Sequence, residues 1–272
     1  MKKLISDNSS FLGLIFIGLI ILSAALAPLL TSYDPSAQDL TQRLLPPSFA
    51  HIFGTDDLGR DVFSRIIYGS RVSMTVGFFA VIMTLIIGAT LGIVSGYFGG
   101  WIDSVLMRFT DIMLCFPTFF LILLIIAFFE PSIVNVMIVI GLTSWTGLAR
   151  IVRSEVLSVR EREFILASQM LAVSKKRLFF VHILPNIISP IIVYCAVGIG
   201  SAILTESGLS FLGLGVQPPT SSWGQILSGG KDYIYSAWWL SVFPGVIILF
   251  TVLSFNLIGE TLRDIFDPKE RV

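Results

Sequence analysis

Glu206 is the carboxylate whose setting first invites a chemical reading. It closes the run from Leu178 to Thr205, which contains no Asp, Glu, Lys or Arg. An ionisable group in a membrane-length apolar run marks a solute or ion route. Glu206 lies about 20 residues beyond Pro185, which as helix puts it near an outer interface rather than at a bilayer midplane. Two roles are open to it: a pathway or outer-gate contact, or an ordinary helix-end carboxylate. Asp111 and Glu260 fall at predicted inner helix ends and carry the second reading.

The two histidines, His51 and His182, fall on opposite sides of the membrane under the topology below and cannot share a metal. The two cysteines, Cys115 and Cys195, lie in apolar runs that offer neither a disulfide framework nor a C-x-x-C site. Neither a G-x-x-x-x-G-K-[ST] phosphate loop nor a G-x-S-x-G nucleophile elbow occurs. The glycine-rich strings Gly54 to Gly59 and Gly208 to Gly215 read as turns that shape outer loops. The expectation is a chain that is not an enzyme and holds no metal or cofactor of its own.

The elements that position these residues are apolar. Of 272 residues, 54% are hydrophobic and 13% charged, against about 25% charged in an ordinary soluble domain. A soluble fold is thereby excluded. Eighteen Lys plus Arg balance eighteen Asp plus Glu, so no basic field exists to hold nucleic acid.

A bilayer core of about 30 Å takes about 20 apolar residues of helix. Six stretches free of formal charge qualify: Phe11 to Leu30, Val72 to Ile102, Ile112 to Phe129, Pro131 to Ala149, Leu178 to Thr205, and Tyr233 to Gly259. The third and fourth form a tight helical hairpin about Glu130 and Pro131. The fifth and sixth exceed one span and carry interfacial or tilted helix. The first is read as an uncleaved span, because it is longer than a signal-peptide core and Pro28 would follow the cut.

The fold class is therefore an all-α polytopic membrane protein with six transmembrane helices. Its organisation reads as an N-terminus at 1–10, a first helix at 11–30, an external loop at 31–71 and a core domain at 72–272. Thirteen of the eighteen Lys and Arg then share one side with both termini and the 150–177 loop. The positive-inside rule makes that side cytoplasmic.

Gly88, Gly92 and Gly96 lie on one helical face where another backbone can approach. Close van der Waals contact, rather than a hydrophobic reward, joins helices in lipid. The face suits either a subunit interface or packing inside this chain's own bundle. Pro117, Pro190 and Pro244 threaten helix interiors and predict kinks. In the inner loop, Glu161 to Arg177 scans as a short helix bounded by charge. Ala167, Ser168, Leu171 and Ala172 form one stripe of mostly small side chains. That stripe fits a partner's groove, with Arg160, Arg162, Lys175, Lys176 and Arg177 facing acidic rims. A basic amphipathic helix on anionic lipid, seated by Phe164 and Ile165, fits equally.

Several strings together resemble the permease subunits of ATP-binding-cassette importers of the dipeptide, oligopeptide and nickel branch, across nearly the whole chain. They are Tyr33-Asp-Pro35; Phe53-Gly-Thr-Asp-Asp-Leu-Gly-Arg-Asp-Val-Phe-Ser-Arg65 with Gly69-Ser-Arg-Val-Ser73; Ser210-Phe-Leu-Gly-Leu-Gly215 with Pro218-Pro219 and Trp223-Gly224; and Asp264-x-x-Asp267-Pro268. The inner loop is similar to that family's EAA loop. Counting back from Leu184-Pro185 sets the pattern on Leu166, Ala167, Ser168 and Ala172, with Glu163 one turn before the expected glutamate. Ala167 and the Leu-Pro pair match strictly, whereas Leu166 replaces a glutamate and Ala172 a glycine.

The resemblance implies a coupling element made by Glu163, Phe164, Leu166, Ala167, Ser168, Leu171, Ala172, Leu184 and Pro185, between the fourth and fifth helices. It also implies a second, homologous permease chain, two cytoplasmic ATPase subunits that carry ATP and Mg, and an external or lipid-anchored binding protein. Short peptides are the expected cargo and a chelated nickel or related metal the alternative, since almost no charge and no converging ligand set lies in the spans. A secondary carrier or channel would instead need midplane charges or broken half-helices repeated in two halves. A plain membrane anchor would leave the outer-loop strings unexplained.

Overall fold

The computed structural model describes residues 8–171, 173–174 and 177–266, and leaves out the side chains of Asn8, Leu166 and Gln169. The expectations placed on Ala172, Lys175, Lys176, Asp267 and Pro268 lie outside the described residues. The described chain is helical, its extended pairing limited to a single bridge between Thr55 and Asp61.

Helices α1 (Asn8–Ala25) and α2 (Ala27–Leu30) precede a long loop that contains a 3-10 turn at Leu40–Gln42. Then come α3 (Val62–Phe98), α4 (Gly100–Leu114), α5 (Thr118–Ile126), α6 (Ile133–Arg160) and α7 (Glu163–Met170). A π-helical turn, Leu178–Ile183, runs directly into α8 (Leu184–Phe211), followed by α9 (Trp223–Gly230) and α10 (Trp239–Phe266). Four helical runs are long and apolar enough to cross a membrane: α3, α6, Leu178–Phe211 and α10. The bent pair α4 plus α5 would make a fifth, and α1 is a shorter apolar helix.

Several span ends differ from the sequence reading, each for a local reason. Helix α3 begins ten residues before Val72 because the Asp61 carboxylate accepts the Ser64 amide at 2.7 Å and caps it at Val62. It stops at Phe98, where Gly99 and Gly100 adopt φ of 65° and 57°. The stretch Ile112 to Phe129 is not one straight helix, since α4 and α5 meet at 82°. Pro117 has no amide to donate and biases Phe116 away from helical geometry. The first stretch breaks at Leu26, with Pro28 in the first turn of α2. Gly208 lies inside α8 rather than in a turn, and the reversal falls at Gly213, φ 82°.

Helix α6 continues past Ala149 to Arg160 because its cations find partners. Arg153 pairs with Asp103 at 2.5 Å, Arg150 with Asp111, and Arg160 donates to the Tyr97 carbonyl at 3.1 Å.

Close contacts fix the helix directions. A methyl on Gly88, Gly92 or Gly96 would come within 2.8, 2.5 or 2.9 Å of the carbonyl oxygens of Trp145, Ala149 and Arg153. Thus α3 and α6 run parallel in backbone contact, and the glycine face packs within this chain. Gly77 meets Ile203 while Gly198 meets Val81, so α8 runs antiparallel to α3. Gly200 meets Val252 and Phe255 while Gly259 meets Val197, so α10 reverses again. Ser10 donates to the Leu257 carbonyl at 3.1 Å, and Arg71 to the Ala24 carbonyl at 2.5 Å. The start of α1 therefore shares one end of the bundle with the end of α10, Phe98, Arg160 and α7.

Candidate functional site

At the end of the bundle that carries α7, one side chain seats that helix. Ile165 is 0% exposed, packed in a cluster with Val152, Val156 and Val159 of α6 and Leu178, Ile183 and Ile187 of the run that follows. Burying such a side chain contributes on the order of 2 kcal/mol. The ring of Phe164 lies 6.3 Å from that of His182, and Arg162 donates to Asn186 at 3.4 Å. α7 is thus pinned to the ends of α6 and α8 together.

The remaining residues expected here point outward or sit alongside. Glu163, Phe164 and Ala167 are exposed, Ser168 is half-buried with its hydroxyl donating to the Phe164 carbonyl at 2.7 Å, and Leu171 is 79% exposed. Leu184 packs against the Ile165 cluster and Pro185 is exposed in the first turn of α8. The side chain of Leu166, and Ala172 altogether, lie outside the described residues. Met170, 88% exposed and outside the small-residue stripe, joins Leu171 in an uncovered apolar tip.

At the opposite end Glu206, just over one turn before the end of α8, is fully buried. Its carboxylate accepts hydroxyls from Ser210 at 2.7 Å, Ser222 at 2.8 Å, Ser73 at 3.3 Å and Ser207 at 3.5 Å. The Trp223 amide in turn donates to the Ser73 hydroxyl at 3.2 Å, and its indole to the Ile66 carbonyl at 3.2 Å. One carboxylate therefore joins α3, α8 and the N-terminus of α9. Gly224 permits this closeness, since a methyl there would lie 2.5 Å from the Ser207 Cα. The i, i+4 spacing of Glu206 and Ser210 was legible in the sequence; the partners on α3 and α9 were not.

The long loop closes over this end as a polar cluster. Asp56 accepts the Arg60 Nε at 2.7 Å and also pairs with Arg65, whose other nitrogen donates to Gln225 of α9 at 2.5 Å. His51 bridges Asp61 at 2.9 Å and Gln42 at 2.7 Å. Gly54 and Gly59 have φ of 75° and 72°, and a methyl on Gly59 would sit 1.8 Å from the Asp39 carbonyl oxygen. The hydroxyl and amide of Thr41 hold the exposed Asp39 carboxyl below its usual range.

With the two ends so arranged, comparison with known proteins becomes decisive. Residues 88–272 match the family described as binding-protein-dependent transport system inner membrane component. The chain belongs to that family. Residues 1–47 of this inner-membrane component match the N-terminal TM domain of oligopeptide transport permease C. It is 48% identical to the dipeptide transport system permease protein DppC of Alkalihalophilus pseudofirmus, over 98% of this chain and 88% of that protein. It is 40% identical to the oligopeptide transport system permease protein OppC of Bacillus subtilis, over 100% of this chain and 89% of that one. Its fold matches a chain of the inward-facing MetNI methionine ABC transporter with a TM-score of 0.60 at 15% identity, covering 75% of this chain and 97% of that one. A multi-pass transport permease of the inner membrane is thereby established.

Between the two ends of this permease, α3, α6 and α8 enclose a cavity of about 200 Å³. An open groove of about 510 Å³ lies beyond it between α6, α8 and the end of α10, lined in part by Pro190 and Arg263. Tyr194 borders both spaces, and its hydroxyl donates to the Ser144 carbonyl at 3.3 Å. Sequence reasoning missed Tyr194, which no charge or motif singles out.

Proposed function

We propose that this chain forms half of the translocation pathway of an ATP-driven importer of short peptides. Its partners in that reading are a second permease chain, two cytoplasmic ATPase subunits that supply ATP and Mg, and an external or lipid-anchored binding protein. Peptide cargo rests on the names of relatives that match nearly end to end. A chelated metal is the less supported cargo, and among the described residues no cluster of His, Cys, Asp and Glu suits a bound ion.

In this reading the membrane is crossed six times, by α1, the bent α4 and α5 pair, and the four long runs. Both termini and α7 then face the cytoplasm, in keeping with the alternating contacts that bring Ser10 to Leu257. The observation that carries the mechanism is Ile165. Because it is buried against α6 and the run into α8 at once, a displacement of α7 by an ATPase groove moves both helices as one body. The alternative of a lipid-seated helix would need Ile165 facing outward. At the other end, Glu206 and its serines act as an outer gate latch, holding α9 and the long loop on the bundle in one state and releasing them in another.

The test is reconstitution of the chain with its partner subunits in proteoliposomes. Uptake of labelled dialanine is expected only with ATP and the binding protein, and unaffected by ionophores. Uptake by the permease alone, driven by an ion gradient, would overturn the reading in favour of a secondary carrier.

A further inference from the structure

His51 is 5% exposed, yet both ring nitrogens are engaged, Nδ1 with Asp61 Oδ1 at 2.9 Å and Nε2 with Gln42 Oε1 at 2.7 Å. Which protons the ring carries follows from these partners. The exposed Asp39 carboxyl, held below its usual range chiefly by Thr41, also accepts the Gln42 side chain. Only the amide nitrogen of Gln42 can donate to a carboxylate, so its oxygen is the atom left for Nε2. Nε2 must then carry a hydrogen. Asp61 accepts the Ser64 amide at 2.7 Å through its other oxygen and pairs with no Lys or Arg among the described residues. Its contact with Nδ1 requires a second proton, which rests on the ring because imidazole is a stronger base than a carboxylate. The ring therefore satisfies both neighbours only as an imidazolium.

The other groups around it are engaged elsewhere or uncharged. Arg60 and Arg65 pair with Asp56, and Arg60 also lies 3.8 Å from Asp57. The Tyr33 ring packs against the imidazole with centroids 4.7 Å apart, and the Ser48 hydroxyl oxygen accepts the His51 amide at 3.2 Å. One side chain thus meets the beginning of the long loop, its 3-10 turn and the residue that caps α3.

We propose that His51 is a proton-held clasp: as an imidazolium it closes the 33–51 stretch onto the N-cap of α3, and an alkaline exterior opens that stretch by removing one proton. A neutral ring has one hydrogen for two acceptors, so it sets a bare nitrogen against either the Gln42 oxygen or the Asp61 carboxylate and loses that contact. The clasp therefore stabilises on the acid side and its contribution is lost as pH rises. The part that loosens is bounded. Asp61 keeps its cap on Ser64, and Asp56 keeps its two arginines with the Leu58 and Arg60 amides, so the turn at 54–61 stays in place. The inference goes beyond the importer reading and rests only on its topology, which makes the loop external.

The experiment uses the full chain with isotope-labelled histidine, read by nitrogen NMR. The chain has two histidines, and His182→Gln assigns the His51 signals. At about pH 6 both His51 ring nitrogens are expected at protonated shifts, and by about pH 9 one should have moved to the unprotonated position. In detergent, the unfolding midpoint of the parent should exceed that of His51→Gln at the lower pH, and the excess should shrink at least twofold at the higher. In an Asp61→Asn background, where Asn can still cap the helix but offers no carboxylate, the same comparison should give one excess at both pH values. With Cys115→Ser and Cys195→Ala removing the native thiols, an impermeant maleimide should label Phe49→Cys, a fully exposed loop position, in intact cells.

A single protonated nitrogen on His51 at about pH 6 would overturn the imidazolium. Two protonated nitrogens still present at about pH 9, or an excess that does not change with pH, would overturn the opening. Should His51→Gln fail to fold, the nitrogen shifts of the parent decide alone. Failure to label Phe49→Cys in intact cells would overturn the exterior as the sensed compartment, and the proposed topology with it, while the nitrogen shifts still judge the clasp.

Discussion

The Glu206 carboxylate accepts the Ser222 hydroxyl at 2.8 Å across sixteen positions of chain, so a residue in the last turns of one long helix also holds the N-cap of the next. The same Ser222 oxygen accepts the Gln225 amide at 3.2 Å, which makes helix start and helix latch one connected unit. Networks of this kind stabilise when complete and cost most when one member is removed.

Removal of the hub therefore has a graded outcome. Glu206→Ala leaves the hydroxyls of Ser73, Ser210 and Ser222 without their acceptor in a buried site, at about 1–3 kcal/mol for each group that finds no other partner. A loss of about 3 kcal/mol is expected, read as a lower unfolding midpoint in detergent. Glu206→Gln keeps the shape and one acceptor oxygen and should fall between Glu206→Ala and the parent chain. Identical midpoints for all three would remove the latch from the account.

The parallel contact of α3 and α6 makes a second prediction. Gly92→Val places its side chain where a methyl alone would be 2.5 Å from the Ala149 carbonyl oxygen and 2.8 Å from the Val152 Cβ. Overpacking of this kind costs about 1–3 kcal/mol, and the backbone on the far side cannot yield as a flexible side chain would. Gly18→Val meets nothing within 4 Å of its first carbon. Its thermal midpoint should match that of the parent, while Gly92→Val should show a clear decrease.

Anchor and tip of α7 separate in a third measurement. Ile165→Ala removes a buried side chain shared by three helical segments, with a cost of about 2–5 kcal/mol. The ATPase subunits are expected to remain bound while the amount of peptide moved per ATP hydrolysed falls. Leu171→Asp alters a side chain that is 79% exposed. It should leave stability within about 0.5 kcal/mol and instead abolish co-purification with the ATPases. If both variants transport normally, the coupling surface lies elsewhere.

The long apolar runs and the all-helical class were legible because charge-free stretches of membrane length have few alternative structures. Span ends were less so. Asp61 reads as one more loop carboxylate until its cap on Ser64 is seen, and the 82° turn at Pro117 was readable as a kink but not as a division of the stretch. Ile165 was hard to weigh because a single isoleucine in an eight-residue helix has the same hydropathy whether it meets lipid, a partner or the chain's own bundle. The distance of Glu206 from Pro185 could be counted along the chain, yet its burial depends on Ser73 and Ser222, two residues far away in sequence and silent in any local pattern. Tyr194 defines a boundary between two spaces, a property of packing that no residue type announces.

Asp56 offers the last prediction, and it turns on charge rather than shape. Its carboxylate is the shared partner of the buried Arg60 and Arg65. Asp56→Ala leaves the buried Arg65 without its carboxylate partner and Arg60 with only the Asp57 carboxylate at 3.8 Å, and breaking a buried pair in this way costs about 3–5 kcal/mol. Added salt should not rescue it, because buried charges are screened far less than exposed ones. Replacing Arg65 by Met as well removes the stranded cation, so Asp56→Ala with Arg65→Met should be more stable than Asp56→Ala alone. Protease sensitivity of the 31–61 loop gives the local readout and the unfolding midpoint the global one. A double variant no better than the single would place the cost in the lost Asp56 amide contacts at Leu58 and Arg60, both 2.9 Å, rather than in the ion pairs.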